Sequence, residues 1–316
     1  MENSLELDAM VSPRLKEISA RRAAVETRVV NALGGAIEAT SWQGCRVLGS
    51  YLGLAFFAAG KRRRELAIGN VQMALGLNRA QANRVARRSA QNWGMTTCEF
   101  LHLPAATGSE IRNYVRLDGL EQLQNALAQG KGAIVMTAHI GNWELLAARL
   151  AVEVPLDAMA RPLSNPTAQE KMSSVRRGTG MTLISKHGAA RPVMKGLQRN
   201  RAVLILPDRH AGPEGVALPL FGKVTRFEGT MGRFAVMSGA PIVPAFGFRR
   251  APWLQDGRID AQIWPAFEVH SPSKAGRDAA ALEGTRRVIS SLENAVRMHP
   301  DQWSWMLRRW RDDDSS

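Results

Sequence analysis

Residues 133–151, which read AIVMTAHIGNWELLAARLA, decide the fold of this 316-residue chain. The first six residues, AIVMTA, predict a short buried strand, because continuous apolar runs of this length are typical of parallel sheets covered on both faces. HIGN then supplies a turn, and WELLAARLA has the apolar spacing of an α-helix. The segment therefore predicts a strand–turn–helix unit with a histidine, His139, at the junction.

Further strand-like runs follow this unit and alternate with helical patterns, one of which is a long helix over residues 278–299. Such alternation predicts an α/β fold with a largely parallel central sheet flanked by helices. Residues 210–222 are rich in Gly and Pro and read as a loop. The predicted strands are LDAMA (156–160), MTLIS (181–185), AVLILP (202–207), APIVPAFGF (240–248) and a candidate edge strand, IDAQIWPAF (259–267).

The N-terminal part, residues 14–130, reads as helical. Its most apolar stretch, Val47 to Ala59, is shorter than the roughly 20 residues that span a bilayer. Three arginines, Arg62 to Arg64, follow at once, and an apolar segment closed by cations suits a helix lying in an anionic membrane surface. A core helix with a charged end is the alternative. We predict a helical, membrane-associating region over 1–65, a main domain over 66–312 and a disordered tail over 313–316.

The charge balance is strongly basic: 42 Lys and Arg face 28 Asp and Glu, which gives a net charge of +14. Such a chain attracts polyanions, whether nucleic acid, anionic lipid headgroups or an acidic carrier protein. Because the aromatic residues are scattered and no recognised binding module is present, we expect no nucleic-acid partner. The two cysteines have neither metal-type nor disulfide spacing, and residues 1–13 lack the pattern of a secretory signal.

The chemistry-bearing candidate is HIGNWE, residues 139–144. His139 follows a strand, and Glu144 lies in the first turn of the next helix, a spacing that can let the carboxylate hold the imidazole in one tautomer. The other ring nitrogen would then take a proton from a substrate hydroxyl. The N–H groups at the start of that helix are candidate donors to an oxyanion. Because Ser and Cys are absent from nucleophile motifs such as GxSxG, we predict direct transfer without an acyl-enzyme.

Five motifs occur in order and carry a resemblance that spans about residues 45–312. The chain resembles the lipid A biosynthesis acyltransferases, the late lauroyl- or myristoyl-type transferases of the lysophospholipid acyltransferase superfamily. The resemblance implies the glycerolphosphate-acyltransferase-like form of the α/β fold. The motifs are HIGNWE (139–144), ARPLSNP (160–166), LPDRHAGPEGV (206–216), LPLFG (218–222) and PDQWSWMLRRW (300–310), with RRRELAIGNVQMALG (62–76) as a further similar stretch.

By this resemblance His139 is the general base and Glu144 the acid that orients it. Arg161 would bind a phosphate of the acceptor or carrier, since a guanidinium suits phosphate. Asp208 matches an acid that lines the cleft. The C-terminal Trp303 and Trp305 are interpreted as packing or interfacial anchors. The remaining residues assigned to the substrate site are Asn142, Arg177 (with Arg176 as the alternative register), Gly222 as a backbone requirement, and Arg309 beside Arg308 as a possible phosphate contact.

The implied reaction moves a fatty acyl group from an acyl carrier protein or coenzyme A thioester to a hydroxyl of an anionic glycolipid such as a lipid A precursor. No metal or redox cofactor is expected, and the histidines His187 and His210 lack ligand spacing. We expect the enzyme at the cytoplasmic face of a bacterial inner membrane, held peripherally or by one N-terminal anchor. A glycerophospholipid, phosphatidylinositol mannoside or aminolipid acceptor, or a lipid ester hydrolase, is the alternative.

Two departures from the family pattern concern the acceptor. Where the family usually has Asp-x-Asp, this chain has Asp208 followed by His210, and no Pro follows Gly229 in the stretch KVTRFEGTMG (223–232). Both positions lie in the half of the chain that follows the histidine motif. They leave the identity of the acceptor open, together with the acyl length and the choice between carrier protein and coenzyme A.

Overall fold

The protein is a three-layer α/β structure in a computed structural model that describes residues 32, 34–161, 166–251 and 253–311. The ten helices named here are α1 Trp42–Ala59, α2 Lys61–Leu75, α3 Arg79–His102, α4 Gly108–Tyr114, α5 Leu120–Ala128, α6 Trp143–Glu153, α7 Pro166–Gly178, α8 Ala190–Gln198, α9 Thr230–Ser238 and α10 Arg277–Met298. The strands are β1 Val115–Asp118, β2 Ala133–Met136, β3 Leu156–Ala160, β4 Thr182–Ser185, β5 Ala202–Ile205, β6 Val216–Leu220, β7 Lys223–Phe227, β8 Ile242–Arg249 and β9 Ile259–Ile263.

Seven strands form the central sheet in the order β1-β9-β8-β2-β5-β3-β4. Every neighbouring pair is parallel except β8 and β9. Side chains alternate along β2, so that Ile134 and Met136 join the core on one face while Ala133 and Val135 join the core on the other. Both faces are covered by helices, which explains why β2 reads as an uninterrupted apolar run. The predicted largely parallel sheet is confirmed.

Three expectations are corrected. Residues 115–118, read as helical, form β1, which pairs in parallel with β9. Strand β9 is therefore interior, and the candidate edge position belongs to β1. The predicted loop over 210–222 contains β6, which forms an antiparallel hairpin with β7. Phe221 and Gly222 close that hairpin with φ values of 52° and 77°, the two positive values that a two-residue type I′ turn requires.

Some expectations fall on residues outside the described ranges. These are the basic helical pattern that begins at residue 14, the tail over 313–316 and most of the ARPLSNP motif. Within the described ranges, no helix combines the length and apolar character needed to cross a bilayer. The apolar stretch Val47 to Ala59 lies in α1, and the predicted division of the chain at residue 65 stays a prediction.

Helix α1 crosses α3 at unusually close range through small residues. A Cβ atom added at Gly53 would lie 2.2 Å from the backbone oxygen of Ala90, and one added at Gly49 would lie 2.6 Å from that of Gly94. Only glycine leaves room for these backbones, so the crossing is specified by small residues four apart on each helix. It fixes α1 to α3, the helix that also contacts the HIGN turn, residues 139–142.

We therefore expect Gly53→Ala to lower the free energy of unfolding by about 1–3 kcal/mol, because the new methyl group forces the two helix backbones apart. Gly69→Ala in α2 is the matched control, since an added Cβ there meets nothing within 4 Å. That change should be neutral or stabilising by up to about 1 kcal/mol, because Ala is the better helix former. Urea unfolding followed by circular dichroism measures both, and equal effects would refute the close-crossing argument.

Candidate active site

The carboxyl ends of two adjacent strands bring His139 and Asp208 together. In the parallel pair β2 and β5, Met136 lies opposite Ile205. Each of the two polar residues comes three positions after its strand's last paired residue, so both emerge at the same level of the sheet edge. The Nδ1 atom of His139 lies 2.7 Å from Oδ1 of Asp208. The backbone N–H of His139 also donates to Oδ2 of Asp208 at 3.1 Å.

Asp208 is fully buried, and both of its carboxylate oxygens accept hydrogen bonds. Besides His139, its Oδ2 accepts from Nε1 of Trp303 at 3.0 Å and from a guanidinium nitrogen of Arg309 at 2.8 Å. Burial alone would raise the pKa of this carboxyl, but attraction to His139 and Arg309, with their hydrogen bonds, holds its pKa well below the usual range. Because the carboxylate is ionised, Nδ1 of His139 must be the donor. The Nε2 atom is then left unprotonated in the neutral imidazole.

The predicted hydrogen bond from Glu144 to His139 is not formed among the described residues. Glu144 instead receives two bonds from Arg176 of α7, at 2.5 Å and 3.1 Å, and one from the indole of Trp143 at 3.1 Å. The expectation that Glu144 orients the histidine is therefore corrected, because Asp208 occupies Nδ1 and Arg176 occupies Glu144. Burial opposes the charge of Arg176, but the contact with Glu144 prevails and raises the guanidinium pKa.

His139 and Glu144 open onto one cavity of about 450 Å³ at the carboxyl edge of the sheet. One part of its wall is apolar and consists of buried or half-buried side chains of the sheet, α6 and α7. The other part is cationic, and its arginines are exposed. The apolar part contains Ala147, Ala158, Met172, Met181, Leu204 and Leu206, and the cationic part contains Arg161, Lys186, Arg209, Arg308 and Arg311.

The cations that line the cavity differ in whether they have an ion-pair partner. Arg161, Arg209 and Arg308 have no hydrogen-bonded or ion-paired partner among the residues that the structure describes. Lys186, in contrast, is paired with Glu228 across the cavity. The three arginines are therefore available to an anionic ligand, and the binding of a phosphate by Arg161 stays a prediction.

Three predicted substrate residues do not line the cavity. Asn142 is buried and accepts the N–H of Leu145 at 2.9 Å, which caps α6. Arg177 is exposed and pairs with Glu170, so that its neighbour Arg176 is the cavity residue. Gly222 belongs to the β6–β7 turn, where its positive φ serves the backbone.

The C-terminal motif supplies buried residues that bind Asp208. Arg309 is 2% exposed and uses all its nitrogens internally, donating to the carboxylate and backbone oxygen of Asp208 and to the backbone oxygen of Ser304. It is thus committed to Asp208 and is not free to take a phosphate. Trp303 and Trp305 are fully buried, as their packing interpretation predicted, and Trp303 in addition bonds Asp208.

Sequence reasoning missed three cavity cations, Lys186, Arg209 and Arg311, and a buried polar cluster. Lys186 directly follows the predicted strand MTLIS, so a position at a strand end, like that of His139, could have pointed to it. Arg209 has only its position beside Asp208 as a signal. Glu99 and Arg249, buried beneath the HIGN turn, gave no local signal beyond being charges in apolar surroundings.

Comparison with known proteins identifies the family of the chain. A family model described as bacterial lipid A biosynthesis acyltransferase matches residues 15–312, nearly the whole chain. A phosphatidylinositol mannoside acyltransferase of Mycolicibacterium smegmatis is 22% identical over 294 residues, which cover 88% of this chain and 93% of that protein.

Two further relatives are similar at the same level. The lipid A biosynthesis lauroyltransferase of Escherichia coli K12 is 25% identical over 268 residues, or 84% of either chain. The phosphatidylinositol mannoside acyltransferase of Mycobacterium tuberculosis H37Rv is 24% identical over 232 residues, covering 71% of this chain and 70% of that protein.

Proposed function

Because the chain belongs to the bacterial lipid A biosynthesis acyltransferase family, we propose that it moves a fatty acyl group from an acyl thioester to a hydroxyl of a lipid A precursor or a related glycolipid. The relatives support an acceptor of this class, since the names of those compared above refer to lipid A and to phosphatidylinositol mannoside. The observation that carries the proposal is the His139–Asp208 pair opening onto a cavity with an apolar wall and a cationic rim.

In the proposed reaction, Nε2 of His139 takes the proton of the acceptor hydroxyl as its oxygen attacks the thioester carbonyl. The new C–O bond forms, and the carbonyl oxygen carries negative charge in the tetrahedral intermediate. Collapse of that intermediate breaks the C–S bond, and the proton held by His139 passes to the departing thiolate. Asp208 holds the tautomer and stabilises the imidazolium that exists between these steps. The N–H of Leu145 is capped by Asn142, so the N–H groups of Trp143 and Glu144, which lack intrahelical acceptors, are our candidates for binding the oxyanion.

The apolar wall suits the acyl chain of the donor. Ala147, Ala158, Met181 and Leu204 are at most 5% exposed, and they lie on the face of the sheet covered by α6 and α7. An acyl chain placed there is removed from water, which favours binding by about 0.8 kcal/mol per buried methylene. Met181 immediately precedes β4, so the apolar part of the cavity extends from the carboxyl edge of the sheet toward its opposite edge.

The cationic rim suits the charged parts of both substrates. Arg161, Arg209 and Arg308 are exposed and lack partners among the described residues, so a phosphate would gain charge-assisted hydrogen bonds without displacing an existing ion pair. We propose that the acceptor's phosphate binds there and that an acyl carrier protein or coenzyme A approaches over the same surface.

The proposal is tested by incubating the purified protein with acyl carrier protein thioesters and a tetra-acyl lipid A precursor, followed by mass spectrometry of the lipids. The expected result is one added acyl chain. An unchanged precursor, with acylation of another lipid in a total extract, would replace the acceptor by a glycerophospholipid or an aminolipid. Release of free fatty acid alone would refute transfer in favour of hydrolysis.

We further propose that α1 rests on the membrane surface from which the acceptor is taken. Leu48, Tyr51 and Leu52 are exposed by 41%, 66% and 50%, an apolar face for which the fold offers no cover among the described residues. The exposed cations Lys61, Arg62 and Arg63 follow at the start of α2. This combination supports binding to an anionic interface.

We accordingly expect the protein to co-sediment with vesicles that contain anionic phospholipid and to bind less to purely zwitterionic ones, with salt weakening the former. Leu48→Asp with Leu52→Asp should reduce sedimentation about 10-fold or more, because two charges would enter the apolar layer. Arg116→Ala with Arg199→Ala, at exposed positions outside α1, lowers the net charge by the same two units and is the matched control. Equal loss in both variants would assign the binding to charge alone and contradict the role of the apolar face.

A further inference from the structure

Glu99 of α3 and Arg249 at the end of β8 form an ion pair whose side chains are both 0% exposed. The pair is bidentate, with N–O distances of 2.7 Å and 2.6 Å. Burial opposes the charge on Arg249, but the contact with Glu99 more than compensates and raises its pKa. Neither residue lines the cavity or belongs to the acyl-transfer steps described above.

Tyr114 donates to Glu99 at 2.7 Å, and Arg249 donates to the backbone oxygen of Gly257 at 3.1 Å. Two further polar contacts of the pair lead toward the turn that carries His139. Asn142 donates to Glu99 Oε2 at 2.6 Å while its own carbonyl caps α6. Arg249 donates through Nε to Asn92 at 3.0 Å, and Asn92 in turn donates to the backbone oxygen of Gly141 at 2.8 Å. Both members of the pair therefore support the turn. Glu99 binds Asn142 directly, and Arg249 is linked to Gly141 through Asn92.

Two further bonds complete the support. Thr96, also on α3, donates its hydroxyl to the same oxygen of Gly141 at 2.9 Å. The backbone of Asn142 donates to the oxygen of Gly247 in β8 at 2.7 Å. At Gly141 an added Cβ would lie 1.8 Å from that Gly247 oxygen, so the turn also approaches β8 as closely as a glycine permits. The turn has no freedom to shift without breaking several of these contacts.

A buried ion pair is a poor device for stability alone, because the cost of removing two charges from water offsets much of their attraction. A well-packed apolar pair of similar volume is often as stable or more so. What the apolar pair cannot supply is directed hydrogen bonds to Asn142 and Asn92. We propose that the Glu99–Arg249 pair is a positioning device that holds the His139 turn in register with Asp208 and the cavity. This inference rests on the proposed acyl transfer.

The experiment removes both charges at once, in Glu99→Met/Arg249→Met, so that no uncompensated charge is left buried. We expect kcat to fall about 10- to 100-fold, because a displacement of about 1 Å in a reacting group can cost up to a hundredfold in rate. The KM for the acyl donor should stay within about twofold of wild type, since the cavity wall and rim are untouched. The unfolding midpoint in urea is measured on the same samples.

A second ion pair provides the matched control. Arg201 and Asp157 also form a guanidinium–carboxylate contact, at 2.7 Å, and their other contacts are to Leu156 and Thr182 at the opposite edge of the sheet. Asp157→Leu/Arg201→Met should leave kcat unchanged, whatever it does to the unfolding midpoint. A fall in kcat that merely follows stability in both double variants would overturn the positioning role.

A smaller change guards against misfolding of the double variant. Thr96→Val removes a single bond to Gly141 without altering charge, and we expect kcat to fall about threefold or more with KM unchanged. Wild-type kcat in a folded Glu99→Met/Arg249→Met protein, or in Thr96→Val if the double variant does not fold, would refute the inference. The proposed function fails separately, when the wild-type protein itself transfers no acyl chain.

Discussion

His139→Ala should abolish acyl transfer, lowering kcat by about 10²–10⁴-fold, because Nε2 of His139 is the proposed acceptor of the hydroxyl proton. The side chain is 20% exposed at the cavity wall, and its loss leaves Asp208 bonded to Trp303, Arg309 and the backbone N–H of residue 139. The fold should therefore persist. Initial rates from mass spectrometry of the lipid product, with unfolding curves beside them, measure both effects.

His139→Asn distinguishes loss of the base from loss of the contact with Asp208. The asparagine amide can keep a donor near the position of Nδ1, and so preserve the contact with Asp208, but it offers no base in place of Nε2. We expect the same loss of rate as with alanine. His187→Ala is the matched control, since that histidine is exposed and does not line the cavity. Turnover within a few-fold of wild type in either His139 variant would exclude the general-base role.

The sequence predicted well those features that depend on local patterns. Short apolar runs such as those of β2 and β5 must be buried on both faces, and this alone indicates a parallel sheet between helix layers. A polar residue directly after such a run must then lie at the carboxyl edge, as His139 and Asp208 do. Arg161 was assigned through the resemblance of ARPLSNP (160–166) to the family motif.

The sequence could not tell which strands are neighbours. His139 and Asp208 are 69 positions apart, and they meet only because β2 and β5 are adjacent and in equal register. Glu144, five positions from the histidine, was the nearer carboxylate along the chain, and proximity in sequence was mistaken for proximity in space. Its actual partner, Arg176, comes from α7, whose packing against the site no local pattern encodes.

Other errors have related causes. Strand β1 is only four residues long and includes Arg116 and Asp118, so its alternation was too short to stand out from the surrounding helices. The β6–β7 hairpin was hidden by Pro219 within β6, a residue that ordinarily argues against a strand. The pairing of such strands is determined by tertiary packing. The same holds for the contact between Glu99 and Arg249, which is why the sequence did not indicate it.

Substitutions of the two carboxylates of the site, Asp208 and Glu144, should have different effects on kcat and KM. Asp208→Asn preserves volume but removes the charge that fixes the histidine tautomer and stabilises its imidazolium. By analogy with His–Asp pairs in hydrolases, we expect kcat to fall about 10³–10⁴-fold with little change in KM. Because Arg309 loses its carboxylate partner, stability should also fall, and rates are therefore compared well below the unfolding midpoint.

Glu144→Gln is the informative comparison for that variant. It leaves the His139–Asp208 contact intact and weakens the hold on Arg176, which lines the cavity, so substrate binding should suffer more than the chemical step. We expect KM to rise about 10-fold while kcat falls less than in Asp208→Asn. If Glu144→Gln instead lost more kcat than Asp208→Asn, with KM unchanged, Glu144 would be the acid that supports the base. The order of the two kcat values thus decides whether the carboxylate that is near in sequence or the one that is near in space activates His139.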